Sequence, residues 1–251
     1  MFRNKKIITL LALSLLMAKF TMAQSDRGPT PQEKKATIKV INVVAPIING
    51  FQNKDWQIRQ GGADEPEYFS VQKNPDVVMG VAPFNDWNFT LTESSVEYNK
   101  IVKPLLDKMQ ADAPKVSNQK AADEYDAELA KIELLSNVNV EVYVNEKNVP
   151  LKPPHGTVDL KIPGTFFSYK EPTSGEKTLG VSHHLQNSYV LAFGNWGTAK
   201  LQNDWYQFHF THPLATPYIE NIVIIINGSP DRVQEILHNT DWKKINEGLT
   251  L

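Results

Sequence analysis

Cysteine is absent from the 251 residues of this sequence. Disulfide scaffolds, thiol catalysis, thiolate metal sites and lipid attachment through cysteine are therefore excluded. An excess of positive charge is absent too, because 26 Lys and Arg residues face 28 Asp and Glu residues, for a formal net charge of −2. Nucleic-acid binding usually needs a basic patch, and no local cluster of Lys and Arg supplies one, so we expect no nucleic-acid partner.

Long hydrophobic runs are also missing, apart from residues 7–17, which are too few to span a bilayer. Three basic residues precede this run, and small residues follow it as far as Ala23. This order of features is typical of a secretory signal peptide over residues 1–23, cleaved after Ala23. No stop-transfer segment follows, so we expect a soluble periplasmic or secreted protein without a membrane anchor after cleavage.

The remaining chain divides by composition into a leader and a folded part. Residues 24–35 mix Ser, Gly, Pro and charged residues without apolar periodicity, which predicts a flexible leader. Residues 36–251 are long enough for a single α+β domain with its own core, with a possible sub-boundary near residues 113–119. The signal peptide, residues 1–23, contains four basic residues and no acidic ones, so its removal leaves a more acidic protein.

The first half of the chain gives mixed signals for secondary structure. Residues 37–48 are dense in β-branched side chains and predict a first strand. Shorter strands are predicted at 56–59, 68–71 and 77–79. Thr92 resembles a helix N-cap, with Val96, Ile101, Leu105 and Leu106 as a buried side and an interruption at Pro104. Residues 119–135 then have the strongest helical spacing in the chain.

The second half is richer in strands. Apolar and polar residues alternate over 138–144, which predicts a half-buried strand returning at 149–151, and further strands fit 165–169, 188–193 and 205–211. A hairpin turn is predicted at 194–197. Residues 222–226 are apolar on both faces and predict an inner strand. Ser229 and Pro230 predict the start of a helix that covers it, and a short last turn follows from Thr240 to Ile245.

These elements do not alternate strictly between strand and helix, which favours an α+β fold over a doubly wound sheet. We predict a predominantly antiparallel sheet with helices packed on one face, in which an inner C-terminal strand is followed by a C-terminal helix.

Catalytic motifs are weak. The six histidines lack the spacing of a zinc site, so we predict no metal site. Ser182 lacks the second glycine of a nucleophile elbow. There is no Walker loop and no dinucleotide fingerprint, and no cofactor is predicted. The acidic residues 123–128 fit a solvated helix face, although two distant carboxylates can meet in space as an acid/base pair.

Aromatic residues in polar surroundings are the clearest functional signal. The densest group lies between Tyr189 and His212, on strands expected to be neighbours. Exposed rings with a polar edge suit the binding of sugars or peptides, whereas cross-strand packing on a sheet is the structural alternative. The predicted ligand-binding residues are Trp196, Trp205, Tyr206 and His209.

The resulting functional prediction is an exported soluble binding or accessory protein of the bacterial cell envelope. Its expected partner is a small molecule such as a carbohydrate, a peptide or glycan, or another envelope protein. The alternative is a secreted hydrolase whose site is assembled from distant residues, with His183, His184, His209 or His212 acting beside an Asp or Glu.

Overall fold

A seven-stranded antiparallel sheet is the centre of the structure, which is a computed structural model. The structure describes residues 25–27, 30–62, 69–71, 85–113, 119–146, 148–150, 158–170, 188–198, 200–202, 205–212 and 218–250. The strands are β1 (Ser25–Arg27), β2 (Trp56–Gly62), β3 (Phe69–Val71), β4 (Asn85–Leu91), β5 (Asn137–Val144), β6 (Asn148–Pro150), β7 (Val158–Asp159), β8 (Phe167–Lys170), β9 (Tyr189–Gly194), β10 (Lys200–Gln202), β11 (Trp205–Gln207) and β12 (Asn221–Gly228). The α-helices are α1 (Pro31–Asn49), α2 (Lys103–Asp112), α3 (Gln119–Ser136) and α4 (Pro230–Asn239).

Three shorter helical segments complete the described structure. A π-helical turn, Tyr98–Val102, leads directly into α2, and 3₁₀ segments occupy Trp196–Thr198 and Trp242–Gly248. Pro104 lies in the first turn of α2, directly after the π-helical turn, and its missing N–H removes one hydrogen bond at this junction. The interruption predicted there is thus a π-helical turn followed by a new α-helix.

The large sheet has the order β2-β4-β5-β12-β9-β8-β7, and every neighbouring pair is antiparallel. Strand β12 occupies the middle, between β5 and β9, and helix α4 follows it. The predicted α+β class is confirmed, together with the inner C-terminal strand and the C-terminal helix. Ser229 stands at the N-cap position and Pro230 in the first turn, as the sequence predicts.

The main core lies between one face of this sheet and the helices. Alternate residues of the central strands point into it, for example Val140 of β5 and Ile224 of β12, both fully buried. Every described α-helix contributes buried residues to the same cluster, including Val44 of α1, Ile132 of α3 and Ile236 of α4. The helices are therefore packed on one face of the sheet, as predicted.

The strand predicted at residues 37–48 is wrong, because these residues belong to helix α1. Ala36, Val40, Val44 and Ile48 are buried at intervals of four, which is one face of a helix. Packing of that face outweighs the weak strand preference of β-branched residues. Pro46 lies on the exposed side of α1, where water can satisfy the carbonyl that loses its partner.

The predicted buried side of the next helical segment is wrong at Val96 and Ile101, whereas Leu105 and Leu106 are half-buried against the main core. Val96 is 83% exposed and Ile101 is 38% exposed, whereas Val102 is buried. The capping residue is Ser95, whose hydroxyl oxygen accepts a 2.9 Å hydrogen bond from the Tyr98 N–H, instead of Thr92. The π-helical turn has more residues per turn than an α-helix, and this shifts the buried face from Ile101 to Val102. Helix α3, in contrast, confirms the helix predicted at 119–135.

Two predicted strand pairings are wrong as well. Strand β6 does not return along β5, because it pairs with β11 in a separate three-stranded sheet of order β10-β11-β6. Strands β9 and β11 are not neighbours, because β9 lies between β12 and β8. The predicted hairpin turn at 194–197 instead connects two sheets. Alternation predicts that a strand exists, but it does not specify its partner.

Part of the predicted leader has regular structure. Strand β1 pairs with β3, and α1 begins at Pro31. The predicted strand at 77–79 and the centre of the predicted sub-boundary lie outside the described residues. The described helices include none with the length and apolar character needed to cross a membrane.

Candidate functional site

A group of polar side chains occupies the sheet face opposite the helices. They come from β4, from β5, from β12 and from the residue preceding β9, and their positions alternate with the residues of the main core. We call this group the polar strip; its members are Asp86, Asn88, Asn139, Glu141, Tyr143, Ser188 and Asn227.

The strand register sets the polar strip in two rows. Asn88 of β4 is opposite Asn139 of β5, and Asn139 is opposite Asn227 of β12. In the second row, Asp86 of β4 is opposite Glu141 of β5. Side chains directly opposite each other in an antiparallel pair have Cβ atoms about 5 Å apart, so each row is a contiguous polar surface.

Hydrogen bonds hold part of the polar strip in place. Glu141 is only 7% exposed, and its carboxylate accepts a 2.7 Å bond from the Tyr143 hydroxyl and a 3.2 Å bond from Asn139 Nδ2. The buried Ser188 hydroxyl donates to Asn227 Oδ1. The side chains of Glu141, Tyr143 and Asn227 therefore have defined orientations before any ligand arrives.

The polar strip also leaves buried polar atoms without partners. Among the described residues, five buried side-chain atoms lack a hydrogen-bond partner, and four of them belong to the polar strip: Asp86 Oδ1, Asn88 Oδ1, Asn139 Oδ1 and Asn227 Nδ2. An unpaired buried polar atom costs about 1–3 kcal/mol, and most native proteins contain few. Four on adjacent strands form an unusual concentration, and a concentration of this kind is expected where a ligand is bound.

The electrostatics of the polar strip are negative. Burial and the neighbouring Glu141 carboxylate raise the pKa of Asp86 above its ordinary value. Burial, donation to Glu141 and the carboxylates of Glu141, Glu146 and Asp86 raise the pKa of Tyr143, which keeps its hydroxyl a neutral donor. Within the described part of the chain, neither Asp86 nor Glu141 forms a salt bridge with Lys or Arg.

Access to the polar strip comes from its partly exposed members. Asp86, Asn88, Asn139 and Tyr143 are half-buried, so each carries both exposed and buried atoms. The terminal torsion of Asp and Asn side chains is broad, so a small rotation can turn the unpaired atom of Asp86 or Asn88 toward an incoming group.

Sequence reasoning missed this site because it missed β4. Residues 85–91 alternate polar side chains with Trp87, Phe89 and Leu91, which are buried in the main core. This alternation is as regular as that of β5, and it is the signal that could have located the strand. Asn139, Glu141 and Tyr143 were identifiable as one face, but their neighbours were not.

None of the four predicted ligand-binding residues is a member of the polar strip. The Trp196 ring is 1% exposed; it meets Phe208 with ring centroids 4.9 Å apart, and its Nε1 donates to the Phe193 carbonyl. His209 is exposed. Trp205 and Tyr206 lie on β11, and their side chains are outside the described part of the structure. The ligand surface built from these four residues stays a prediction.

The aromatic cluster around Trp196 adjoins the polar strip. Its members lie on the same face of the sheet, and Tyr143 and Ile225 pack against it. The cluster consists of Tyr169, Val190, Ala192, Trp196, Phe208 and Val223, with Phe167 and Phe210 partly buried beside it. An apolar surface therefore borders the polar strip on the β9 side.

One of the predicted histidines does meet a carboxylate. His212 Nδ1 lies 3.0 Å from Glu220 Oε1, and the imidazole stacks on Tyr218 with ring centroids 3.7 Å apart. Glu220 also accepts bonds from the backbone N–H groups of Thr211 and His212 and from the Thr211 hydroxyl. The Thr211 hydroxyl lies 3.2 Å from the same His212 Nδ1, so Thr211, His212 and Glu220 together hold the turn at 211–212. His183 and His184 lie outside the described residues.

No group of three or more acidic, histidine or cysteine side chains that could hold a metal ion occurs in the described ranges. No family model, curated protein or solved structure matches this chain. A function has to be argued from the polar strip and its neighbours.

Proposed function

We propose that this protein is an exported binding protein of the bacterial cell envelope that holds a small polar ligand on the polar strip. The observation that carries the proposal is the set of four unpaired buried polar atoms on adjacent strands β4, β5 and β12. A ligand that pairs with these atoms recovers the free energy that the unliganded fold loses by burying them.

The site is built mainly on central strands of the large sheet. Strands β5 and β12 are central in the large sheet, and their opposite faces are fully buried in the main core. Binding groups carried on central strands need little ordering when the ligand arrives, which favours affinity.

Export rests on residues 1–23, whose basic start, short apolar run and small residues before Gln24 are typical of a signal peptide. Expressed with its own N-terminus in a double-membraned bacterium, the protein is expected to accumulate outside the cytoplasm with Gln24 as its first residue. Intact-mass measurement of the periplasmic fraction checks this. Recovery of the full chain from the cytoplasm alone would contradict it.

Asp86→Asn is expected to stabilise the free protein and to weaken ligand binding. The folded-state pKa of Asp86 is raised, so its anion is disfavoured in the fold, and stability falls as the pH rises through that pKa. Removing the charge should add about 1 kcal/mol to the free energy of unfolding at neutral pH, and the gain should shrink in acid. Urea unfolding at two pH values measures both quantities.

Binding is measured on the same variants by a thermal-shift screen of small polar molecules. Hits on the wild-type protein should be lost or weakened about tenfold in Asp86→Asn and Glu141→Gln. The matched control is Asp107→Asn, whose side chain is 61% exposed and pairs with Lys103. A stabilised Asp86→Asn that keeps every hit would overturn the proposed site.

A hydrolase is the second candidate, because Asp86 and Glu141 form a carboxyl pair across β4 and β5 in which the pKa of Asp86 is raised. Two carboxyl groups in different environments are the usual equipment for cleaving a glycosidic bond. Mass analysis of a bound ligand after long incubation separates the candidates. A binding protein returns it intact, whereas a hydrolase cleaves it with wild-type protein but not with Glu141→Gln.

A further inference from the structure

Three of the four unpaired atoms of the polar strip are oxygens that accept hydrogen bonds: Asp86 Oδ1, Asn88 Oδ1 and Asn139 Oδ1. Asn139 is held in this orientation because its Nδ2 donates to Glu141 Oε1, and exchange of the two atoms would set an oxygen against a carboxylate. The groups that the polar strip lacks are therefore mainly donors.

We propose that the polar strip recognises the protonated primary amine of an amino alcohol, a class that includes the amino sugars. This inference rests on the proposed function, because it names the chemical class of the ligand that the strip would hold. An ammonium group has three N–H donors and no acceptor, which matches three unpaired oxygens on neighbouring strands.

The negative charge of the polar strip also favours an ammonium ligand. Asp86 and Glu141 face each other across two strands, and the Glu146 carboxylate also acts on Tyr143. An ammonium group placed between the first two carboxylates supplies the positive charge that the described residues do not provide there. A charge-assisted hydrogen bond is shorter and roughly twice as strong as a neutral one.

The fourth unpaired atom, Asn227 Nδ2, is a donor that suits a hydroxyl group on the same ligand. Asn227 is 9% exposed, and its Nδ2 donor faces the strip from the position opposite Asn139, while Ser188 holds its oxygen. An ammonium group cannot accept this bond. A hydroxyl oxygen on the adjacent carbon of the same ligand can accept it, since opposite positions lie about 5 Å apart.

Other ligand classes fit less well. An anion would be repelled by Asp86 and Glu141. A calcium ion takes six to eight oxygen ligands, and the described residues hold no group of three carboxylates or histidines. A neutral polyol matches the hydrogen bonds but leaves the two carboxylates uncompensated.

The test is a calorimetric titration of the full mature protein with three probes, at a pH where the free amine is protonated. Glucosamine carries the amine beside hydroxyl groups, glucose replaces it with a hydroxyl, and N-acetylglucosamine removes its charge. Glucosamine is expected to bind about tenfold or more tightly than either of the others. Calcium chloride is titrated as the fourth arm.

Substitutions in the polar strip test whether the preference for glucosamine over glucose depends on it. Asp86→Asn and Glu141→Gln are expected to reduce the preference for glucosamine over glucose to about twofold or less. Asn227→Ala is expected to weaken both sugars without changing their ratio, because its partner is a hydroxyl. The control is Glu124→Gln, whose side chain is 70% exposed on α3, a helix packed on the opposite face of the sheet from the strip. Circular dichroism and urea unfolding confirm that each variant is folded.

Failure of this inference is distinguishable from failure of the proposed function. Equal binding of glucose and glucosamine, binding of calcium alone, or no binding of any probe overturns the amine assignment. The proposed function survives such a result if the thermal-shift screen still finds molecules that stabilise the wild-type protein and not Asp86→Asn. It falls only if no molecule distinguishes the two proteins.

Discussion

Trp242→Ala is expected to lower the free energy of unfolding by about 4 kcal/mol. The Trp242 side chain is 2% exposed at the start of the last 3₁₀ segment. Its ring lies 5.9 Å from the Phe51 ring and 6.4 Å from the Phe193 ring, measured between centroids, and its Nε1 donates to the Leu237 carbonyl. The substitution therefore opens a cavity where the end of α1, strand β9 and helix α4 meet, and leaves a buried carbonyl unpaired.

Equilibrium urea unfolding of the wild-type protein and the variant measures the change. Trp242→Phe is the graded control, because it keeps an aromatic ring but loses the indole donor, and about half of the effect is expected. Should Trp242→Ala unfold within about 1 kcal/mol of the wild-type protein, the packing described around this residue would be wrong.

Glu220→Ala is expected to cost about 3 kcal/mol of unfolding free energy. The Glu220 side chain is 7% exposed and accepts hydrogen bonds from the backbone and side-chain donors of Thr211 and His212, at 2.8 to 3.1 Å. Its removal takes away the shared partner of the Thr211 and His212 donors and empties the buried position of the Glu220 side chain. Glu124→Ala, on an exposed face, is the matched control and should change stability by less than about 0.5 kcal/mol.

The pH dependence of the free energy of unfolding provides a second test of the role of Glu220. Burial raises its pKa, but the hydrogen bonds from Thr211 and His212 outweigh burial and hold the folded-state pKa below the ordinary value of 4.5. The stabilisation from the carboxylate is therefore complete above that value and is lost as the pH falls below it, through the folded-state pKa. Glu220→Gln should lose less stability than the wild-type protein between about pH 7 and about pH 3. Equal losses would contradict this role.

The C-terminal half of the fold is predictable because its signals are local and agree with one another. Five consecutive aliphatic residues precede an Asn-Gly pair, a serine cap and a proline, and each feature independently marks an inner strand followed by a helix. Burial of both faces of a strand leaves few alternatives for such a segment. Helix α3 is predictable for a similar reason, since its apolar residues recur at helical spacing over 18 residues.

The N-terminal half shows why the rest could not be predicted. Val40, Val43, Val44, Ile47 and Ile48 satisfy helical spacing as well as strand propensity, and only the surface that covers them decides between the two. That surface comes from Trp242, Ile245 and other residues about 200 positions later in the chain. The choice therefore depends on contacts that no local window contains.

The candidate site was still less accessible from the sequence. Asp86 and Glu141 are separated by 55 positions, and their encounter depends on the pairing of β4 with β5, not on any motif. The density of aromatic residues led to the prediction that Trp196 binds a ligand. In the structure, its ring is buried against Phe167 and Phe208. What marks the polar strip is unsatisfied hydrogen-bonding capacity, which exists only once the strands are placed side by side.

Helix α1 also determines when the protein can acquire its structure. Lys39 Nζ donates to the Leu249 carbonyl at 2.9 Å, and Val40 shares the main core with Ile245 and Leu249. The first described helix of the domain is thus completed by residues about 200 positions later in the chain, and the central strand β12 also follows it by more than 170 residues. A nascent chain cannot complete this core before residues 219–249 have been synthesised, so long-range contacts set the pace of folding.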